Sequence, residues 1–384
     1  MKVKSFGYQK GKGWSDKNPF EMEDHERNLI LVFGVKDEDW ARDAVKELAE
    51  HYPTSHIVGC STSGEIQNAE VNDESLAVAM THFQHTKLKT MRVNIKEYSS
   101  SVEAGKALVE SLKAPDLSAV FILSDGLCVN GTQLLQGVSS VLDPKVVVTG
   151  GLAGDGDRFT STYVLCPKGE ICQDRVVAVG FYGDRVHVHH GSKGGWDIFG
   201  PERMVTKSEG NVLYELDHRP ALELYKQYLG ERAKELPASA LLFPLNVRDP
   251  KDPETQYVRT ILAIDEEKQS MTFAGDIPEG MTAQLMSANF DRLIDGAGEA
   301  ASDITSLKQD LPTLSIAISC VGRRLVLGDR TEEEVEAVLE ILPQGSHQVG
   351  FYSYGEISPL IEGRHCDLHN QTMTLTVIQE DEAA

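Results

Sequence analysis

Thiols, hydroxyls and carboxyls gather in three glycine-rich loops, each following an apolar run. The first, Gly59-Cys60-Ser61-Thr62-Ser63-Gly64-Glu65, sets a thiol, three hydroxyls and a carboxyl directly after Ile57-Val58. A nucleophile at a strand end would sit in such a turn. However, Gly59, Ser61 and Ser63 meet the G-x-S-x-G spacing only loosely, and the sequence assigns no general base. The second loop, Gly150-Gly151-Leu152-Ala153-Gly154-Asp155-Gly156, offers a carboxyl and open backbone at Gly151. The third, Gly350 to Ile357, holds Tyr354 and Glu356, and its Gly355-Glu356-Ile357 echoes Gly64-Glu65-Ile66. Asp125 and Asp155 lie beside glycines and could meet a ligand amine or hydroxyl, whereas Arg323 and Arg324 could clamp a carboxylate through their forked donors. The set Cys60, Ser61, Thr62, Glu65, Asp125, Gly151, Asp155, Arg323, Tyr354 and Glu356 suits recognition of a zwitterionic metabolite as well as catalysis. For Asp125, bracing a turn or capping a helix is the plain alternative.

Histidine supplies the remaining chemistry. His187 and His189 of VHVHHG share a strand face while His190 faces the other way, a pattern that a solvated face explains better than a metal site. The chain has no P-loop lysine pattern and no paired C-x-x-C, which disfavours nucleotide hydrolysis and structural zinc.

Composition narrows the setting. The 384 residues carry 37 Lys and Arg against 59 Asp and Glu, a formal charge of -22. Phosphate contacts need clustered cations, so neither nucleic acid nor an anionic membrane surface is an expected partner. No apolar run reaches the length of a membrane span, and Met1 to Phe20 lack the apolar segment of a secretory signal. Six scattered cysteines read as thiols in a reducing compartment, so the expected location is cytoplasmic.

The loops need elements to hold them, and the same series recurs three times: buried strand, amphipathic helix, second strand, glycine loop, further strands. The first copy has a strand at Asn28 to Val35 and a helix at Asp39 to His51. The second has Ala119 to Leu123 and a helix from about Thr132 to Leu142. In the third, Leu314 to Cys320 leads through VGRRLVLGDR to a helix opened by Thr331, with Glu334 three residues on as a capping box. Strand-like runs follow at Leu76 to Phe83, Val176 to Phe181 and Thr372 to Ile378. A long helix is expected over Met281 to Ala301 and a shorter one over Ala221 to Leu229. Trp196 and Phe199 are expected to pack between domains. The resulting fold class is α/β, or mixed α+β: repeated strand-helix-strand-loop units forming mixed sheets flanked by helices. A turn at Asp217 to Pro220 suggests domains over 26–217 and 218–384.

Several longer runs, in order, resemble one family: GCSTSGEI (59–66), GGLAGDG (150–156), GPERMVTKSEGNVLYEL (200–216), RPALELY (219–225), MTFAGDIPEGM (271–281), SCVGRRLVL (319–327), GFYSYGEISP (350–359) and LHNQTMTL (368–375). They are similar to the FIST N-terminal and C-terminal domains of bacterial sensory proteins. The resemblance implies a small-ligand sensor, for ligands such as amino acids, acting in signal transduction. Stand-alone members also include nitric oxide sensors that bind haem and regulate a histidine kinase or a cyclic-di-GMP enzyme in trans. If haem b is the cofactor here, His369 of the LHNQT run is the expected axial ligand, since histidine is a usual choice.

Overall fold

The computed structural model describes residues 1–34, 39–236, 238–252, 255–361 and 363–382. β1 (Lys2–Gln9) opens the chain, and a first unit follows: β2 (Asn28–Gly34), α1 (Asp39–His51), β3 (His56–Ser61), β4 (Ser75–His82) and β5 (Lys87–Asn94). The second unit has α2 (Ser101–Glu110), β6 (Leu117–Ser124), α3 (Gly131–Ser139), β7 (Val147–Leu152), β8 (Arg175–Tyr182) and β9 (Val186–Lys193). Residues 197–287 are an insertion carrying α4 (Ala221–Leu229). The third unit has α5 (Phe290–Ser302), β10 (Leu314–Cys320), α6 (Val321–Leu327), α7 (Thr331–Ile341), β11 (His347–Ser353) and β12 (Met373–Glu380).

Each unit builds the same sheet. β2 runs parallel to β3 and antiparallel to β4. β6 relates in the same way to β7 and β8, and β10 to β11 and β12. The outer strand of each sheet comes from elsewhere in the chain: β5 pairs with β8, β9 with β12, and β1 with β4. The opposite edge is covered by a hairpin from a neighbouring unit. The hairpin of Glu65–Gln67 and Glu70–Asn72 joins β11, that of Val164–Cys166 and Glu170–Cys172 joins β3, and that of Gly355–Pro359 and Cys366–His369 joins β7. The exchange is cyclic. It covers edges that would otherwise offer unpaired backbone to other chains.

The central strands are buried on both faces, as sheets with parallel pairs require; all seven residues of both β2 and β10 are buried. One face of every sheet feeds a shared core in which Leu31, Phe33, Phe121, Leu123, Ile316, Ile318 and Phe351 meet. The other faces carry helices, as for Leu108, Leu134 and Val138 over Val120 and Ile122. Local backbone repeats too: the residue two or one before the third strand is left-handed in each unit, at Glu74 (φ 55°), Asp174 (φ 56°) and Gln371 (φ 59°).

The insertion forms a nine-stranded sheet with its own core of Leu213, Tyr225, Met271 and Phe273. Residues 217 and 218 fall between Val212–Leu216 and Arg219–Pro220, which pair with each other. Strand pairing therefore groups the chain as a three-unit core plus an insertion, and the expected 26–217 and 218–384 division passes through the inserted sheet.

Three local expectations change. Thr282–Ser287 is a strand, and the helix expected from Met281 begins only at Phe290, where Asn289 accepts from the Arg292 N–H as its cap. VGRRLVLGDR holds α6 instead of a plain loop. At Thr331 no capping box forms, because its hydroxyl donates back to the Gly328 carbonyl (2.5 Å) and Glu334 turns inward to Arg323. Trp196 does bridge the parts as expected: it is buried, and its Nε1 donates to the Gln371 carbonyl at 2.8 Å. Phe199 stays partly exposed. Among the described residues, no helix is long and apolar enough to cross a membrane.

Candidate functional site

The three glycine loops interlock where the parallel strands end. Ser63 donates its N–H to the Tyr352 carbonyl (2.8 Å), and Gly154 donates to the Ser61 carbonyl (3.1 Å). The Ser63 hydroxyl accepts from the Gly156 N–H at 3.0 Å. Residues expected to share a cleft are thus brought together, but most of them brace one another.

Glu65 and Glu356 show this bracing. The Thr62 hydroxyl donates to one Glu65 oxygen, and the other accepts from the Ser75 N–H (3.2 Å) and hydroxyl (2.8 Å). Glu356 repeats the pattern with the Ser353 hydroxyl (2.7 Å), the Thr372 N–H (3.2 Å) and the Thr372 hydroxyl (2.8 Å). Each carboxyl ties the root of a hairpin to the start of the third strand. Burial pushes both up to about 8, against the pull of those donors. Because both folded values are raised, their contribution to stability is full below the ordinary 4.5 and is lost as pH rises through 8. The unfolding free energy from urea titration should fall between about pH 5 and about pH 8, by on the order of a few kcal/mol for the pair. Glu65→Gln with Glu356→Gln should flatten that slope, and a wild-type free energy constant over this window would refute the assignment.

The second unit has Gly156 at the matching position, and Asp125 ties the loop instead. Its oxygens accept from the Thr162 hydroxyl (2.6 Å), the Leu127 N–H (3.0 Å) and the Asp174 N–H (2.9 Å). Asp125, Cys128 and Asp174 also lie near one another. Their polar atoms serve the loop, with Asp174 paired to Lys96. Asp155 accepts from the Phe159, Thr160 and Ser161 N–H groups and from the Tyr354 hydroxyl. Burial works against its ionisation, yet the Tyr354, Ser161 and Thr160 donors prevail and hold it below its ordinary value. The Tyr354 ring stacks on Phe159 at 4.4 Å.

Other expected site residues are walled off. Cys60 is 1% exposed in the central core, and burial raises its thiol well above the ordinary range, so no thiolate is on hand for nucleophilic chemistry. Ser61 and Thr62 are buried beside it. Gly151 makes room for the core, since a Cβ there would meet Ile318 and Phe351 at 3.0 and 3.1 Å. Arg323 is fully enclosed. Its guanidinium donates to Glu334 (2.9 and 2.7 Å) and to the Gly194 (2.5 Å) and Leu293 (2.7 Å) carbonyls, four of its five donors, and solvent does not reach the side chain. His369 is also enclosed: Nε2 lies 2.9 Å from the Ser358 carbonyl, and burial lowers the ring to about 4. A residue 3% exposed has no room for a macrocycle against its ring, so it does not fit haem b. His187 and His189 do share a face, bound to Asp381 (3.0 Å) and Ser306 (2.9 Å).

Beside the interlocked loops lies a cleft of 590 Å³ lined by residues that include Ser63, Asp73, Gly156, Arg158, Arg324 and Glu332. All three units contribute. Arg324, not its neighbour, faces the cleft, donating to the Ser63 carbonyl (2.5 Å) and in a fork to Asp73 (2.9 and 2.7 Å). One helical step separates the two arginines, so the choice between them depended on recognising α6. Arg158 is held more loosely, with Nε 3.8 Å from Asp155 and its side chain 44% exposed. Its place beside the GDG turn was the available sequence signal.

A family profile described as the FIST N domain matches residues 28–219, and the FIST C domain profile matches residues 221–359. An uncharacterised protein of Methanocaldococcus jannaschii is 23% identical over 358 residues; the match covers 85% of this chain and 65% of that protein, so the chain spans less than two thirds of its relative. The crystal structure of a cyanuric acid hydrolase from A. caulinodans aligns over 92% of this chain and 90% of that one, at 9% identity and a TM-score of 0.36, too low to carry an argument.

Proposed function

Because the chain belongs to the FIST family, we propose that it is a small-ligand-binding sensory protein of intracellular signal transduction, taking a zwitterionic metabolite such as an amino acid in the 590 Å³ cleft. The observation that supports this is the three-unit construction of the cleft. Arg158, loosely paired, can turn to a ligand carboxylate, and Asp329 and Glu332, which also line the cleft, suit an ammonium group. A ligand there touches loops that belong to different sheets, and it can favour one arrangement of them only through unequal contacts with each. A surface altered in that way would be read by a signalling partner, a histidine kinase or a cyclic-di-GMP enzyme in the cytoplasm. The free state of all six cysteines accords with that compartment.

Titration calorimetry against the common amino acids tests the reading. At least one should bind saturably, and Arg158→Ala should weaken it about tenfold or more through the lost charged hydrogen bond. Since Arg158 is half-exposed, the variant should keep its fold. Equal affinity in both proteins would sink the proposal.

A further inference from the structure

The cleft has a counterpart elsewhere in the core. It lies between α6 of the third unit and the hairpin of the first; the matching groove between α3 of the second unit and the hairpin of the third is roofed by the insertion. The roof leaves a cavity of 300 Å³, lined by residues that include Thr132, Gln136, Tyr257, Arg259, Asp276 and Asp367.

Arg259 is the unusual member. It is 3% exposed, and its recorded hydrogen bonds all run to carbonyls: Nε to Asp276 (3.1 Å), Nη1 to Val258 (3.3 Å) and Nη1 to Leu368 (3.0 Å). Nη2 makes none of these bonds, and among the described residues no carboxylate pairs with the guanidinium. The Tyr257 ring lies against it at 4.7 Å, which fixes the plane of the fork. Burial lowers Arg259 to about 10, as expected for a cation removed from water. A buried charge is ordinarily paired at contact; here only carbonyls accept from the guanidinium, Asp276 and Asp367 act on it from the cavity wall without their carboxylates bonding to it, and the free Nη2 edge beside the cavity can meet one incoming carboxylate. The roof is itself pinned to the core, since the Asn130 amide donates to the Asp276 carboxylate (3.0 Å).

We infer that this cavity is a second binding site, for a small monocarboxylate whose carboxylate meets the Arg259 guanidinium. The acids on the wall set the rest of the ligand. Asp276 and Asp367 disfavour a second negative group and suit a hydroxyl or ammonium donor, so 2-hydroxy acids and 2-amino acids share the required chemistry. Bound there, the ligand touches both the insertion and the core, giving it a direct hold on how the two are joined.

The test is calorimetric titration of the full chain with L-lactate and L-alanine, with malonate as the dianionic control. Saturable binding of lactate or alanine, weakened tenfold or more by Arg259→Gln and stronger than malonate, is the expected result. Lactate binding alone assigns the hydroxy-acid class. Alanine binding that falls with Asp367→Asn assigns the amino-acid class. Gln136→Trp, on an exposed helix position, should fill the cavity and block binding with Arg259 intact, which covers the case of an Arg259 variant that fails to fold. Arg158→Ala should leave the lactate affinity unchanged, so this site and the amino-acid cleft stand or fall separately. Neither probe saturating, or equal affinity in wild type and Gln136→Trp, overturns the inference.

Discussion

Gly59→Ala, Gly150→Ala and Gly350→Ala should each abolish soluble, folded protein, or cost more than about 4 kcal/mol where protein survives. A Cβ at Gly59 would lie 1.8 Å from the Val32 carbonyl oxygen, one at Gly150 1.8 Å from that of Ile122, and one at Gly350 1.8 Å from that of Ala317. In every case the obstacle is backbone of the paired parallel strand, which cannot turn aside as a side chain could. Relief requires the strands to part at the middle of a buried sheet, with loss of ladder hydrogen bonds and core contacts together. Gly150 carries the further strain of φ 142°. The control is Gly156→Ala, where nothing lies within 4 Å and only the φ of 78° opposes a side chain; it should cost about 1–2 kcal/mol. Soluble yield and urea midpoints check both. Near-normal stability in any one of the three would show that the units are not equivalent there.

Removing Arg323 should be nearly as damaging. Arg323→Met leaves the Glu334 carboxylate fully buried with only the Ser319 (3.0 Å) and Tyr352 (2.7 Å) hydroxyls, at an expected cost of about 3–5 kcal/mol. Arg324→Ala, which breaks a pair that solvent reaches, should cost about 1 kcal/mol or less. The double variant Arg323→Met with Glu334→Leu should recover much of the loss, because the uncompensated charge leaves with its partner. Urea unfolding of the four proteins decides the matter. A mild effect of Arg323→Met alone would mean that the pair is not what holds α6 against α7.

The glycine prediction rests on a recurrence that was legible in the chain. Buried strands, α1 and α4 followed from apolar spacing, and Gly59, Gly150 and Gly350 marked matching turns because the same series preceded each. Glu65 and Glu356 stood out through the shared Gly-Glu-Ile run, although their chemistry was read as outward when it is inward. Tyr354 and Asp155 were both read as ligand-binding residues, whereas they bond to each other, and the further donors that make Asp155 a brace come from residues 159–161. The double arginine was also visible, but which of the two faced the cleft was not.

The sequence by itself determined the units, since alternation and helical spacing are local properties that a strand or helix carries wherever it is placed. It likewise settled the acidic surface and the free thiols, which need only composition. Only the tertiary structure decided which sheet receives each hairpin, because edge pairing joins residues such as Gly350 and Ile66 that are far apart in the chain. The same pairing decided the sites. It sealed Cys60, Arg323 and His369 inside the protein, left Arg158 at the cleft where the three units meet, and brought Arg259 of the insertion over the groove beside α3. Burial is a property of the assembled layers, and no residue type or spacing carries it in advance.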